Sequence, residues 1–282
     1  MNPIAPDHPL ARARSLLFVP GHRPERFEKA LATEAGGVIL DLEDAVAPQD
    51  KAVAREHVRG FVQRATTAQR ARLLLRINPA DAPGHADDLC TLQTLREHAV
   101  AGVVVPKAAS TPQLAAVLAA AGPGVVLLPL IESAEGWAQA EALAREPGVL
   151  RLVFGHLDFQ LDMGMAADEA QTELVPVRLA LVAASRRAGL VSPVDGVTPD
   201  VGDPAACEAD TRRAQRLGFG ARLCIHPSQV ATVHAALAPS DAERDWAQRV
   251  LAADVQAQGA VFQFEGRMVD APVLARARRL LG

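Results

Sequence analysis

Short apolar runs alternate with longer stretches of helical spacing along nearly the whole chain. The runs are Arg14–Pro20 (RSLLFVP), Gly37–Asp44 (GVILDLED), Arg72–Asn78 (RLLLRIN), Gly102–Lys107 (GVVVPK), Val125–Glu132 (VVLLPLIE), Arg151–Phe159 (RLVFGHLDF), Val191–Val197 (VSPVDGV) and Ala221–Pro227 (ARLCIHP). None keeps the strict apolar–polar alternation of a strand wetted on one face. Near-continuous runs of this kind suit strands covered on both faces. Between them the spacing predicts helices over about 23–33, 48–66, 86–98, 112–121, 134–145, a stretch ending near Ala188, 205–217 and 228–237. Strands alternating with helices imply a parallel sheet, and eight such units are the number that closes a (β/α)₈ TIM barrel, an α/β fold. An open doubly wound sheet would bring a glycine-rich phosphate loop after its first strand, and Pro20-Gly21-His22-Arg23-Pro24 is not one.

Local signals refine this pattern. Thr111-Pro112 reads as an N-cap followed by a proline in the first helical position. Ser240-Asp241-Ala242-Glu243 has capping-box spacing and opens a helix to about Ala257. Val261–Val269 then reads as a hairpin about Glu265-Gly266, and Pro272–Leu281 as a last helix. The chain thus divides into a barrel catalytic domain, residues 1–238, and a C-terminal helix–hairpin–helix extension, residues 239–282. Such an appendage covers a barrel end or contacts a neighbouring subunit.

Composition narrows the function classes. With 282 residues, 49% hydrophobic and 22% charged, the chain is neither disordered, nor a coiled coil, nor a fibre. A net charge of −4 leaves no electrostatic footprint for nucleic acid, and Arg212-Arg213 and Arg276–Arg279 read as solvated helix faces. Aromatics at 4%, with no tyrosine, argue against a base-stacking surface. Cys90, Cys207 and Cys224 are far apart and odd in number, which predicts free thiols in a reducing compartment. No apolar run approaches the ~20 residues of a membrane span, and Met1 to Leu10 lacks a secretory apolar core, so a cytoplasmic protein without a membrane segment is expected.

Chemistry in this fold sits at the C-terminal ends of the strands. Those ends supply Asp41, Glu43, Asp44, Arg76, Asn78, Lys107, Glu132, Asp158, Asp195 and His226. Burying so many polar groups is costly unless they pair or bind something, which points to an enzyme. Glu132 and Asp158 end successive runs, with few His or Cys nearby, and make a hard-oxygen site suited to Mg²⁺ or Mn²⁺. The plainer alternative pairs each with Arg76 or Lys107. Arg76 offers a planar fork for a carboxylate or carbonyl, or a salt bridge to Glu43 or Asp44. His156 could act as a base or a third ligand, but a packed histidine is the more ordinary reading, as it is for His226. Lys107 reads as an ion-pair partner rather than a Schiff-base lysine.

At these residues the sequence resembles the citrate lyase β-subunit-like branch of the HpcH/HpaI aldolase superfamily. The resemblance rests on Arg14–Gly21 (RSLLFVPG), Val38–Val46 (VILDLEDAV), Arg76–Pro79 (RINP), Val104–Lys107 (VVPK), Leu128–Glu132 (LPLIE), Phe154–Asp158 (FGHLD), Asp195–Pro199 (DGVTP), Leu223–Gln229 (LCIHPSQ) and Arg267–Pro272 (RMVDAP), in order along nearly the whole chain. It implies a Mg²⁺-dependent carbon–carbon lyase on a (β/α)₈ barrel. Such enzymes cleave citryl, malyl or citramalyl thioesters to a 2-oxo acid and an acetyl thioester, or run the reverse; a few hydrolyse the thioester. It further implies Glu132 and Asp158 as metal ligands, Arg76 on the substrate, and the backbone N–H groups at Leu157 and Asp158 on the 2-oxo acid carboxylate. Glu43 and Asp44 would orient Arg76 and metal-bound water. Asp270 would reach the active site of a neighbouring subunit, in a homotrimer or a multiple of one, and exchange a proton with the thioester enolate. His156-Leu157 stand where the family often has a small residue and Asn, which changes the wall beside the metal. The implied partners are an acyl-CoA substrate and a 2-oxo acid. Rivals on the same scaffold are a thioesterase, a citrate lyase β subunit acting on an acyl carrier protein, and a free-acid aldolase, against which DLEDAV and VDAP argue. A metal-dependent binding protein that has lost catalysis is a rival of another class.

Overall fold

Runs that are apolar on both faces need cover on both, and a closed barrel wrapped in helices provides it. The computed structural model describes residues 8–257 and 261–281. Strands β1 (Ser15–Pro20), β2 (Gly37–Asp41), β3 (Leu73–Arg76), β4 (Gly102–Val105), β5 (Val126–Ile131), β6 (Val153–Phe154), β7 (Val194–Asp195) and β8 (Ala221–Cys224) pair in sequence order, all parallel, into a closed barrel. Closure places Leu16 of β1 beside Leu223 of β8. The (β/α)₈ expectation therefore holds.

Successive side chains alternate between two apolar layers. Leu16, Ile39, Leu74, Val104, Leu128, Val153, Val194 and Leu223 form an inner cluster. Val38, Leu40, Leu73, Leu75, Val103, Val105 and Leu127 join the larger cluster made with the surrounding helices. Leu10, in the 3₁₀ turn Pro9–Ala11, belongs to the inner cluster and is fully buried. Arg151, just before β6, holds this end of the barrel together. Its guanidinium is buried and donates to the carbonyls of Leu10, Ala13 and Ser192. Burial, with no ion-pair partner among the described residues, pushes its pKa down to about 10.

Several elements are shorter than the apolar runs suggest. The run Arg151–Phe159 gives only two residues of strand: the chain leaves β6 at Gly155 and enters the helix His156–Asp162. Asp158 therefore lies in a first helical turn, not at a strand end. β2 stops at Asp41 because its carboxylate accepts from the N–H groups of Glu43 and Ala45 and folds the following residues into a turn. The N-cap of Thr111–Ala121 is Ser110, not Thr111; the extended backbone of Ser110 does the capping without a side-chain hydrogen bond. The helix predicted over 134–145 is two short ones, Ala134–Ala138 and Ala140–Ala144.

The barrel unit runs to Leu237, and a second compact unit begins at Ala238. In the second unit the helix Asp241–Ala257 opens with the expected capping box: Ser240 Oγ accepts from Glu243 N, and Glu243 Oε2 accepts from Ser240 N. Strands β9 (Phe262–Phe264) and β10 (Arg267–Val269) pair antiparallel about a two-residue turn, Glu265-Gly266, with both residues at positive φ. The helix Ala271–Leu281 follows, and Ala247, Val250, Val269, Leu274 and Ala277 form this unit's own apolar cluster. Cys90, Cys207 and Cys224 are free thiols. No helix among the described residues is long and apolar enough to cross a membrane.

Candidate active site

The strand ends converge on a cavity of about 330 Å³. β1 contributes Phe18, the end of β2 Asp41 and the turn after it Asp44, β3 Arg76, and β5 Leu130 with Glu132 just beyond its end. The segment Phe154–Asp158 adds to the wall, with Ala45, Gly196, Val197, Leu223 and Ile225 completing the lining. Asp41, Asp44, Arg76, Glu132, Leu157 and Asp158 thus meet around one space. Glu43, Asn78, Lys107, Asp195 and His226 do not line it.

Arg76 is the centre of the charged side. Asp41 and Arg76 sit opposite each other at the paired ends of β2 and β3. Arg76 Nε and Nη2 donate to the two oxygens of Asp41 at 2.7 and 2.6 Å, a bidentate fork. Its Nη1 lies 2.8 Å from Glu43 Oε2, an ion contact outside hydrogen-bond geometry, and 3.5 Å from Asp44 Oδ2. The guanidinium also stacks over Phe18, 4.6 Å from the ring centre. Burial works against its charge, but Asp41, Glu43 and Asp44 hold its pKa above the ordinary arginine value. The expected salt bridges to Glu43 and Asp44 exist, but the principal partner is Asp41, whose pairing the sequence pattern did not single out.

The turn carrying Glu43 and Asp44 is tied down from behind. Lys51 Nζ donates to the carbonyls of Leu42 and Glu43 and to Asn78 Oδ1. Asn78 Nδ2 donates to Leu42 O and Asp88 Oδ2, and Arg55 Nε donates to Asp88 Oδ1. Glu43 is buried among acids, and its pKa is pushed up to about 9, first by burial and then by Asp44, Glu132 and Asp41, with Arg76 opposing.

Across the cavity, Glu132 Oε1 accepts from the Lys107 backbone N–H at 2.7 Å. Lys107 holds a left-handed φ of 44° to aim that N–H. Its side chain makes no ion pair among the described residues, so the expected pairing of Lys107 with a carboxylate is replaced by a main-chain contact. Gly155 lies against Glu132: a Cβ there would be 2.6 Å from Oε2. Glu132 Oε2 and both Asp158 oxygens have no hydrogen bond or ion pair among the described residues. Burial pushes the Glu132 pKa up to about 7, with the Lys107 N–H opposing and Asp158 adding to the rise.

Two unpaired carboxylates beside one cavity fit a hard divalent cation, which takes one or two protein carboxylates and fills its remaining positions with water and substrate. Among the described residues, His156 is not grouped with Glu132 and Asp158 in a cluster of three or more His, Cys, Asp or Glu that could hold a metal. Its ring is buried, and burial pushes its pKa down to about 4, leaving it neutral. Asp195 is taken up by Arg178 and Arg222 in a buried ion-pair network. His226 Nδ1 contacts Ser228 Oγ at the surface. Leu157 and Asp158 sit in the first turn of their helix, where N–H groups have no intrahelical acceptor. In the second unit, Asp270 Oδ1 accepts from Val273 N at the start of the last helix.

A citrate lyase subunit beta-like protein of Mycobacterium tuberculosis is 37% identical over 94% of this chain and 93% of its own. A (3S)-malyl-CoA thioesterase of Cereibacter sphaeroides is 31% identical over 95% and 93% of the two chains. An L-malyl-CoA/beta-methylmalyl-CoA lyase of the same species is 32% identical over 97% and 95%. Among solved structures, the CitE protein of Mycobacterium tuberculosis in complex with magnesium, acetoacetate and coenzyme A superposes with a TM-score of 0.83 at 33% identity, covering 96% of this chain and 97% of that one. The profile of the HpcH/HpaI aldolase/citrate lyase family matches residues 14–227, from the start of β1 to just beyond β8, and the chain belongs to that family.

Proposed function

We propose that this protein is a Mg²⁺-dependent carbon–carbon lyase. It cleaves a 3-hydroxyacyl thioester of the (S)-citramalyl-CoA or malyl-CoA type to a 2-oxo acid and acetyl-CoA. The observation that carries this reading is the pair of unpaired carboxylates, Glu132 and Asp158, facing one cavity with a clamped Arg76. The relative named above as a lyase of malyl-CoA and beta-methylmalyl-CoA, and the CitE complex with magnesium and coenzyme A, support it.

Glu132 and Asp158 hold the ion. When bound, Mg²⁺ supplies a Lewis acid for the substrate oxygen that becomes the 2-oxo carbonyl. Arg76 supplies a fixed positive charge to the same oxygen, and Asp41, Glu43 and Asp44 fix its orientation. The N–H groups of Leu157 and Asp158 receive the acid carboxylate. The hydroxyl passes its proton to solvent at the open cavity, and the bond between the carbinol carbon and the thioester α-carbon breaks. Its electron pair becomes the thioester enolate. Asp270 of an adjacent subunit gives a proton to the α-carbon, completing acetyl-CoA, and takes one in the reverse direction. This role makes a homotrimer, or a multiple of one, part of the proposal, with residues from Ala238 onward as the part that crosses between subunits.

The 31% identical thioesterase favours a second reading, hydrolysis of malyl-CoA at the same site. A citrate lyase β subunit working on a carrier-bound citryl thioester is a third. The test is to incubate the purified protein and Mg²⁺ with (S)-citramalyl-CoA, (S)-malyl-CoA and citryl-CoA, following released 2-oxo acid and free thiol separately. Formation of 2-oxo acid without free CoA establishes the lyase. Free CoA with the hydroxy acid intact establishes the thioesterase and overturns the proposal. Binding of 2-oxo acid without turnover points to the carrier-dependent subunit.

A further inference from the structure

The pairing of β2 with β3 ends where the charged side of the site begins. Asp41 and Arg76 are the last residues in register, and Leu42 N donating to Arg76 O at 2.9 Å is the last main-chain bond between the two segments among the described residues. Glu43 and Asp44 lie beyond it, so the sheet does not place them. Yet Glu43, 5% exposed, sets Oε2 2.8 Å from Arg76 Nη1, and the exposed Asp44 reaches the same nitrogen at 3.5 Å. The N–H groups of Glu43 and Ala45 donate to Asp41, and Val46 N donates to Glu43 O. These bonds shape the turn from the β2 side, and none of them reaches the β3 side.

Lys51 supplies that link. It opens the helix Lys51–Arg64, and its Nζ donates to Leu42 O at 2.9 Å, Glu43 O at 3.0 Å and Asn78 Oδ1 at 2.5 Å. An ammonium carries three donors, and all three are spent on the turn after β2 and on the exit of β3. Asn78 stands two residues past Arg76 and is 2% exposed. Its Nδ2 also donates to Leu42 O, which closes a ring of bonds between the two segments. Asp88 accepts from Asn78 N and Nδ2 and from Arg55 Nε, and Arg55 stands one helical turn along from Lys51. The helix thus grips both segments that carry the guanidinium and its acids, while no bond of Lys51 reaches Glu132 or Asp158.

We infer that Lys51 is a positioning residue: it continues the β2–β3 pairing past the last ladder bond and holds Glu43 on Nη1 of Arg76, which fixes the direction in which that guanidinium faces the substrate. Its kinetic consequence rests on the lyase reading. The test compares Lys51→Met, which removes the donors at nearly constant length, in the wild-type and Arg76→Lys backgrounds of the full chain with Mg²⁺, each variant checked for native circular dichroism. In the wild-type background kcat/KM for the cleaved thioester is expected to fall by about tenfold or more, the usual cost of a misaimed catalytic group. Mg²⁺ affinity, read by calorimetry, is expected to stay within about twofold. In Arg76→Lys the same substitution is expected to cost less than about twofold, because the fork it serves is gone. A crystal structure of Lys51→Met is expected to keep the Asp41–Arg76 fork and to show Glu43 drawn away from Nη1. Unchanged kcat/KM in a folded Lys51→Met, an equal loss in both backgrounds, or an unmoved Glu43 overturns the inference. Where Lys51→Met does not fold, Lys51→Gln, with its donors on a shorter stem, is read in the same way. Free CoA release or no turnover in the wild type ends the lyase reading, and the variant's crystal structure then decides the placement by Lys51 on its own.

Discussion

Asp41 and Arg76 meet at the paired ends of neighbouring strands, with the guanidinium fork seated on both carboxylate oxygens at 2.6 and 2.7 Å. Both residues are buried, so removing Asp41 takes the bidentate partner from a buried guanidinium and leaves it only Glu43 and Asp44. Asp41→Ala is expected to lower stability by about 3–5 kcal/mol in urea denaturation. Arg76→Lys keeps the charge but loses the fork, and is expected to lower kcat/KM by about tenfold or more while the fold is retained. An Arg76→Lys enzyme with unchanged kcat/KM would show that the fork is not used in turnover.

Glu132 and Asp270 are assigned different tasks, and two substitutions separate them. Glu132→Ala is expected to abolish Mg²⁺ binding and, with it, 2-oxo acid binding, read by calorimetry. Asp270→Asn is expected to keep both and lose about 10²- to 10⁴-fold in turnover, the usual contribution of a general acid–base group. Normal turnover in Asp270→Asn would remove that residue from the mechanism.

The acidity of the site sets a pH dependence. Glu132 and Glu43 have pKa values pushed up to about 7 and about 9, above the 4.5 of a free glutamate. A carboxyl with a raised folded-state pKa stabilises the fold fully below its unfolded value, and that contribution fades as pH rises through the folded value. In EDTA, the melting temperature relative to Glu132→Gln is therefore expected to fall between about pH 5 and about pH 7. Mg²⁺ competes with the proton for Glu132, so the rise in Tm that Mg²⁺ produces should grow over the same interval. A rise that shrinks with increasing pH would contradict ligation by Glu132.

Gly155 offers a test of the site's packing. A methyl group there would fall 2.6 Å from Glu132 Oε2 and 2.8 Å from Glu132 Cβ. Gly155→Ala is expected to displace the carboxylate and weaken Mg²⁺ binding by about 10- to 100-fold, measured by titration, with the protein still folded. Unchanged affinity would mean that Glu132 can shift without cost.

The barrel was legible in the sequence because each unit carries its own apolar run and helical repeat. The positions of Asp41, Arg76 and Glu132 followed, since each ends or directly follows a strand. What escaped was non-local or backbone-borne. The run around Val153 is apolar well past the two residues that pair, so periodicity could not place the start of the helix that holds Asp158. The Asp41–Arg76 fork depends on register between two strands, and adjacent strand ends of opposite charge were the available signal. Asp195 had the same address as the site acids but faces two buried arginines, one on β8 and one on a helix 17 residues earlier in the chain. No side-chain pattern could reveal that Glu132 is held by a main-chain donor.

That last contact bears on how the site tolerates mutation. The group that orients Glu132 is the N–H of residue 107, held at a left-handed φ of 44°. Every amino acid but proline carries the donor, and glycine adopts that φ without strain. The identity of the side chain at 107 is thereby uncoupled from the aim of the Glu132 carboxylate. Position 107 can change in charge among residues that tolerate a left-handed φ while the geometry at Glu132 is inherited unchanged.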